Sequence, residues 1–248
     1  MMHSVRDSQL IEDSAGEAWL DVAVSHALLR QVAARERPAT VRAYVPRPTV
    51  AFGRLDALRD GFQTAIEASA AGGFEPVLRN AGGHAAAYTE NALVYEEITP
   101  HDGVAIDLRA HFEPFSDRIA AALRTLGIDA RVGAIPGEYC PGDFSVNAAG
   151  TTKLAGVAQR VVRGAALVTA VIVASDGPRL RAVLADVYRA LDLEFDENTV
   201  GTLADVRPGT GAGAAASALL RGRQLGRATL DAGTLAIARE LAPRHRLA

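Results

Sequence analysis

The 248-residue chain has almost no lysine and almost no cysteine. Of its 26 Lys+Arg residues, 25 are arginine, and the exception is Lys153; Cys140 is the only thiol. A single cysteine excludes an intramolecular disulfide and any Cys-rich zinc site. The six histidines, at positions 3, 26, 84, 101, 111 and 245, have no metal-ligand spacing. No Gly-x-Ser-x-Gly occurs, so the serine-hydrolase elbow is missing. The glycine spacings of a P-loop or a dinucleotide fingerprint are missing too. The longest near-continuous apolar run, Ala165 to Ala174, is about half the length that spans a bilayer. Met1 to Gly16 is polar, without the apolar centre of a secretory signal. A net charge of −3 supplies no bulk attraction for a phosphate backbone. The expectation is a soluble, cytoplasmic protein with neither a nucleic-acid nor a membrane partner.

What remains is enough for a sizeable core, since 49% of the residues are hydrophobic. Ser14 and Glu17 have the spacing of a capping box, opening a helix through about Ala34 with Leu20, Val24 and Leu28 on one face. Val41–Val45 and Thr49–Phe52 read as two strands round a Pro-Arg-Pro turn. A short helix over Asp60–Ala71 leads to a strand over Glu75–Arg79, and a further strand covers Ala92–Ile98. Pro114 suits a first helical position, with Phe115, Ile119, Ala122 and Leu126 following at helical spacing. Ile128–Val132 is a strand. Phe144–Ala148, Lys153–Val161 and Ala165–Ala174 read as three antiparallel strands, with turns at Ala149-Gly150 and Arg163-Gly164. Pro178–Leu191 is an amphipathic helix, and two further helices are expected near Ala214–Arg221 and Ala228–Ala242. Helices and strands mix without βαβ regularity. That predicts an α+β fold with a mixed, largely antiparallel sheet flanked by helices and a helical C-terminal tail. Residues 1–176 are expected to form the catalytic domain and 177–248 a helical extension packed on it.

The chemistry concentrates between Gly137 and Arg163. Cys140 precedes Pro141-Gly142, a sequence that places the thiol on a bend with Gly142 free to take a positive φ at the third turn position. Lys153 follows thirteen residues later. Arginine keeps its proton and is a planar fork, whereas lysine is a compact charge whose pKa burial can tune. One lysine among 25 arginines points to a place that needs the latter. Together, a lone thiol and a lone lysine point to acyl transfer. A second glycine-bearing loop, Arg79-Asn80-Ala81-Gly82-Gly83-His84, follows a strand and lets a ligand approach the backbone closely.

Arg79-Asn-Ala-Gly-Gly, followed some seventy residues later by Lys153-Leu-Ala-Gly-Val-Ala-Gln-Arg160, resembles the biotin/lipoate protein ligase and octanoyltransferase superfamily over roughly Ala18–Ala174. Phe52-Gly53-Arg54 is similar to that family's strand-end Gly-Arg element. Tyr139-Cys140-Pro141-Gly142-Asp143 resembles the cysteine-dependent branch, whose members move octanoyl from the glycine cleavage H protein to other lipoyl domains. Phe195–Pro208 looks like that branch as well. The chain departs from the ligases of the superfamily at Gly82-Gly83-His84, where they carry three glycines, and it lacks their following His-Asp pair.

The resemblance implies a lipoate ligase-like domain with an apolar tunnel for a C8 chain. It also implies an acyltransferase that needs no cofactor. Cys140 would attack as thiolate and carry octanoyl or lipoyl as a thioester. Lys153 would favour the thiolate by its charge and place a donor at the developing oxyanion. Arg79 and the Gly82-Gly83 amides would border the acyl pocket, with Tyr139, Gly156 and Gln159 shaping it. What takes the proton of the attacking amine is not legible in the sequence: neutral Lys153 is one candidate and His84 a weaker one. The implied partners are lipoyl carrier domains such as glycine cleavage H protein and 2-oxoacid dehydrogenase E2 subunits, with Arg160 and Arg163 steering an acidic acceptor. Two alternatives stand beside this. One is an ATP- and Mg-dependent lipoate–protein ligase with Cys140 incidental, and the other a non-catalytic lipoyl-domain binder.

Overall fold

A computed structural model describes residues 8–102 and 109–247. His3 and most of the polar stretch at the start of the chain lie outside the described residues. Eleven strands among the described residues form two sheets. They are β1 (Gln9–Ile11), β2 (Thr40–Tyr44), β3 (Thr49–Phe52), β4 (Glu75–Leu78), β5 (Ala86–Tyr88), β6 (Ala92–Pro100), β7 (Ala130–Val132), β8 (Val146–Ala148), β9 (Thr152–Val162), β10 (Ala165–Val173) and β11 (Gly226–Ala228). The larger sheet has the order β11-β1-β2-β6-β10-β9-β8-β7, and the smaller one β4-β3-β5. Only β1 pairs in parallel within the larger sheet, with β2 and β11; the other ladders are antiparallel. The architecture is therefore α+β with a mixed, largely antiparallel sheet flanked by helices.

The helices are α1 (Ala18–Ala33), α2 (Phe62–Ala71), α3 (Arg109–Thr125), α4 (Gly177–Ala190), the single-turn α5 (Leu203–Val206), α6 (Ala212–Leu220) and α7 (Ala232–Leu241). Central strand β10 is buried along its length because both faces are covered. Val168, Ala170 and Ile172 pack with Phe115, Ile119 and Leu123 of α3. Leu167 packs on the other side with Leu20, Val24 and Leu28 of α1. Helix α1 lies between this sheet and α7, so Ala23, Ala27, Leu29 and Val32 are buried as well as the expected face. The segment after residue 177 adds α4 against α2, α7 against α1 and, besides these helices, strand β11 at the edge of the large sheet.

The hairpin β8–β9 turns at Ala149 (φ 53°) and Gly150 (φ 80°), both left-handed, and the Thr151 amide closes the turn by donating to Ala148 O (3.0 Å). Four local expectations fail. β2 and β3 are not a hairpin: the proline-containing link carries the chain from the large sheet into the small one. Ser14 does not cap α1, since its hydroxyl donates to Asp21 (2.6 Å) and Glu17 stands at the N-cap. The first helical amides, of Ala18 and Trp19, donate instead to the Glu75 carboxylate from β4. Pro114 lies inside α3 rather than at its start. In the Cys-Pro-Gly bend the left-handed residue is Cys140 itself (φ 42°), not Gly142.

Candidate active site

Three chain segments meet between the two sheets. The first is the loop after β4. Arg79 is fixed by its amide, which donates to Phe52 O at the end of β3 (2.9 Å). Gly83 takes φ 92°, and a Cβ there would stand 2.8 Å from Cys140 Sγ and 2.5 Å from Arg79 Nη2. Only glycine lets this backbone pass so close to the sulfur. Gly53, after β3, is pressed so tightly against the same loop that a Cβ would fall 1.7 Å from Gly83 O. Gly82 faces open space.

The second segment carries the thiol. Arg79 Nη2 donates both to Cys140 Sγ (3.3 Å) and to His84 O (2.6 Å), so one guanidinium holds both loops. The Cys140 amide donates to Tyr188 Oη (2.7 Å) on α4, and that hydroxyl donates to Ala85 O (2.9 Å). Burial pushes the Tyr188 phenol up, so it stays neutral.

The third is β9, which brings Lys153 beneath the cysteine loop with 1% of its side chain exposed. Its ammonium donates to Tyr139 O and Cys140 O, both at 2.9 Å, and pairs ionically with Glu138 Oε2 at 3.1 Å. The other Glu138 oxygen accepts from the Gly142 amide and Ser145 Oγ, both at 3.0 Å. Burial lowers the Lys153 pKa, and the Glu138 carboxylate is the main influence opposing that shift. The lysine is therefore held as a buried ion pair that also donates to two carbonyls of one loop.

Arg79, Tyr139, Cys140, Lys153 and Gly156 line one cavity of about 30 Å³, closed by Ala86, Ala87, Val157 and Val171. A second cavity of about 60 Å³ shares Arg79 and Val171 and runs on towards α1, walled by Tyr44, Ala51, Tyr88, Val94 and Leu167. Its far end is polar, at Ser25 and Glu96. Burial pushes the Glu96 carboxyl up against the pull of Arg42. Arg79 Nε and Asn80 Nδ2, buried at this junction, have no hydrogen-bond partner among the described residues. A much larger concavity, about 800 Å³, lies elsewhere on the outer surface; its walls include Asp192, Glu194, Asp196 and Glu197 but neither Cys140 nor Lys153.

Of the residues singled out from sequence, Arg79, Gly83, Tyr139, Cys140, Lys153 and Gly156 come together. Gln159 lies further along β9, its Oε1 buried without a partner, and lines neither cavity. His84 turns its ring towards Asp56, with Nδ1 2.8 Å from Oδ1. Glu138, Tyr188 and Asp56 were missed. For Glu138 there was a signal: a carboxylate two residues before the only cysteine, in a chain with one lysine. Nothing local marks Tyr188 or Asp56. No helix among the described residues is long and apolar enough to cross a membrane.

Comparison with known proteins gives concordant matches. The model of the lipoyl protein ligase A/B catalytic domain matches residues 17–202. An octanoyl-[GcvH]:protein N-octanoyltransferase of Bacillus velezensis is 28% identical over 211 residues, covering 82% of this chain and 72% of that protein. One from Geobacillus kaustophilus is 31% identical over 168 residues, covering 68% and 59%. Among solved structures, lipoate-protein ligase A bound with ATP superposes with a TM-score of 0.75 at 20% identity, covering 96% of this chain and 95% of that one. This last likeness speaks to the fold alone.

Proposed function

Because the chain belongs to the lipoyl protein ligase A/B catalytic domain family, we propose that it moves an octanoyl or lipoyl group to the lysine of lipoyl carrier domains through a thioester on Cys140. The observation that carries this reading is the meeting of the sole thiol with Arg79 and the sole lysine at the mouth of an apolar cavity between the sheets. The curated relatives' names, which specify octanoyl transfer from GcvH, support it. Glycine cleavage H protein and E2 lipoyl domains are the carriers it implies.

In the first half-reaction the Cys140 thiolate attacks the acyl carbonyl and the C–S bond forms; the C–N bond to the donor's lysine then breaks as that nitrogen takes a proton from solvent, and the donor carrier leaves as the free amine. Arg79 faces the sulfur directly. Lys153 acts through the loop: it gathers the carbonyls of residues 139 and 140 and brings a second positive charge beneath the nucleophile. The unpartnered Arg79 Nε and Asn80 Nδ2 are donors in reserve for the acyl carbonyl or its oxyanion. The acyl chain would lie along the cavities that meet at Arg79 and Val171, excluding water from the thioester. In the second half-reaction the acceptor's lysine amine attacks, and the thiolate departs.

The test is intact-mass analysis after incubation with octanoylated H protein, with octanoyl acyl carrier protein, or with octanoate plus ATP. An octanoyl adduct from a carrier without ATP is the expected result. Acyl transfer only with ATP and no adduct would establish a ligase instead, and carrier binding without any transfer a non-catalytic binder.

A further inference from the structure

Resting on that acyl-transfer reading, we propose that His84, oriented by Asp56, is the general base that takes the proton of the acceptor's lysine amine when the Cys140 thioester is broken. The reaction needs such a group, because an amine that attacks a carbonyl must shed a proton. The groups around the thiol do not provide it. Lys153 meets three acceptors within 3.1 Å, and a neutral Lys153 would strand Glu138 as a buried, unpaired charge. Arg79 does not deprotonate in a protein. The Tyr139 and Tyr188 phenols are buried, and Tyr188 is spent on Cys140 N and Ala85 O.

His84 differs from all of these. Its peptide is tied to the thiol through Arg79 Nη2, which donates to both His84 O and Cys140 Sγ. Its side chain is 28% exposed, open to a substrate arriving from solvent. Its Nδ1 meets a carboxylate that is wholly buried, and Asp56 is itself fixed by the Gly53 amide at 2.8 Å on the other oxygen. A carboxylate only accepts, so Nδ1 carries the hydrogen, and in the neutral ring the lone pair is on Nε2. A buried Asp that orients an imidazole in this way is the arrangement by which a base is held in one tautomer.

In the step itself the acceptor amine nitrogen forms the C–N bond, and the C–S bond breaks with its electrons on sulfur. The amine proton passes to His84 Nε2, and the imidazolium, stabilised by Asp56, releases it to water, so that Cys140 is left as the thiolate. Cys140 is then ready for the next donor. Asp56 touches no reacting atom and is a positioning residue.

The experiment loads the full chain with octanoyl and splits the sample. One part meets an unmodified lipoyl domain. The other meets hydroxylamine, a small nucleophile already neutral at pH 7 that carries water with it, so that solvent can take its proton in place of His84. His84→Asn keeps an N–H donor for Asp56 but cannot accept the proton. The ratio of lipoyl-domain to hydroxylamine rates should fall about 100-fold or more in this variant, the usual span of general-base catalysis. Asp56→Asn should lower the same ratio by a smaller factor while binding of the acceptor persists, because a merely structural loss would slow both nucleophiles together. An unchanged ratio in His84→Asn overturns the proposal. Absence of any thioester in the wild-type chain overturns the acyl-transfer reading and this step with it.

Discussion

Two cations are buried equally deeply and are held in opposite ways. Arg42, with none of its side chain exposed, joins separate parts of the chain. Its guanidinium donates to Asp21 O (2.9 Å), Ser25 Oγ (3.1 Å), Asp13 O (3.1 Å) and the Asp21 carboxylate, and lies 3.8 Å over the Tyr44 ring. It fastens α1 and the segment before it to β2. Lys153 takes all its acceptors from three consecutive residues, 138 to 140. A flat fork with five donors suits a staple between elements, whereas a compact tripod suits the inside of one tight loop. The difference explains how a chain otherwise given over to arginine retains lysine here: a guanidinium would not fit where the ammonium gathers two adjacent carbonyls beneath the thiol.

Exchanging the cation at each place breaks the comparison most forcefully. Lys153→Arg should lower kcat/KM for transfer about 100- to 1,000-fold, the scale of losing an electrostatic contact at a reacting centre, while overpacking costs about 1–3 kcal/mol of stability. Near-normal turnover would mean that shape at this position is unimportant. Glu138→Gln should be nearly as damaging. Burial already lowers the Lys153 pKa, and without the opposing carboxylate the folded lysine would release its proton closer to neutrality. The unfolded lysine would still hold its proton, so the stability of this variant should rise with pH from neutral towards alkaline conditions. Thermal midpoints across that range check the sign.

At the other cation the loss should be in folding. Arg42→Met leaves Asp21 buried without its partner, a change that costs about 3–5 kcal/mol, measurable by denaturant unfolding. A third pair, of buried His245 with half-buried His26, sharpens the contrast because it is neutral. His26 Nδ1 and His245 Nε2 lie 3.0 Å apart, and His245 Nδ1 is bound to Leu78 O. Burial, aided by the neighbouring imidazole, lowers His26 to about 4, and burial lowers His245 as well. Between an unfolded value near 6.5 and a folded value of about 4, the unfolded chain binds more protons. This contribution is full above pH ~6.5 and fades as pH falls towards ~4. The thermal midpoint should drop over that interval, and less so in His26→Gln. The smallest effect concerns Arg160 and Arg163. If they steer an acidic carrier, kcat/KM should fall by about tenfold or less between low and moderate salt; a flat profile would remove steering.

What was legible in the sequence was what local chemistry decides. The run β8–β9–β10 could be read from alternating and continuous apolar stretches broken at Ala149-Gly150 and Gly164. The partner of β3 could not, because choosing β4 and β5 over β2 depends on contacts far along the chain. The Ser14–Glu17 spacing was overruled by Glu75, a residue that no local pattern ties to the start of α1. At the site, Cys140 and Lys153 were conspicuous because each is unique. The bend around Cys140 was misassigned because Tyr188, 48 residues away, and the Lys153 ammonium fix its conformation from outside. Asp56 was invisible because its meaning depends on His84 turning towards it.

The central claim is that Cys140 carries the acyl group, and a chase of the loaded protein tests it most directly. Wild-type chain treated with octanoylated H protein in the absence of ATP should gain one octanoyl group. The adduct should be released by neutral hydroxylamine, as a thioester is, and should pass to an added lipoyl domain at a rate that accounts for steady-state turnover. Cys140→Ala should gain nothing and transfer nothing. Transfer that persists in Cys140→Ala and requires ATP would contradict the account and leave Cys140 a packing residue.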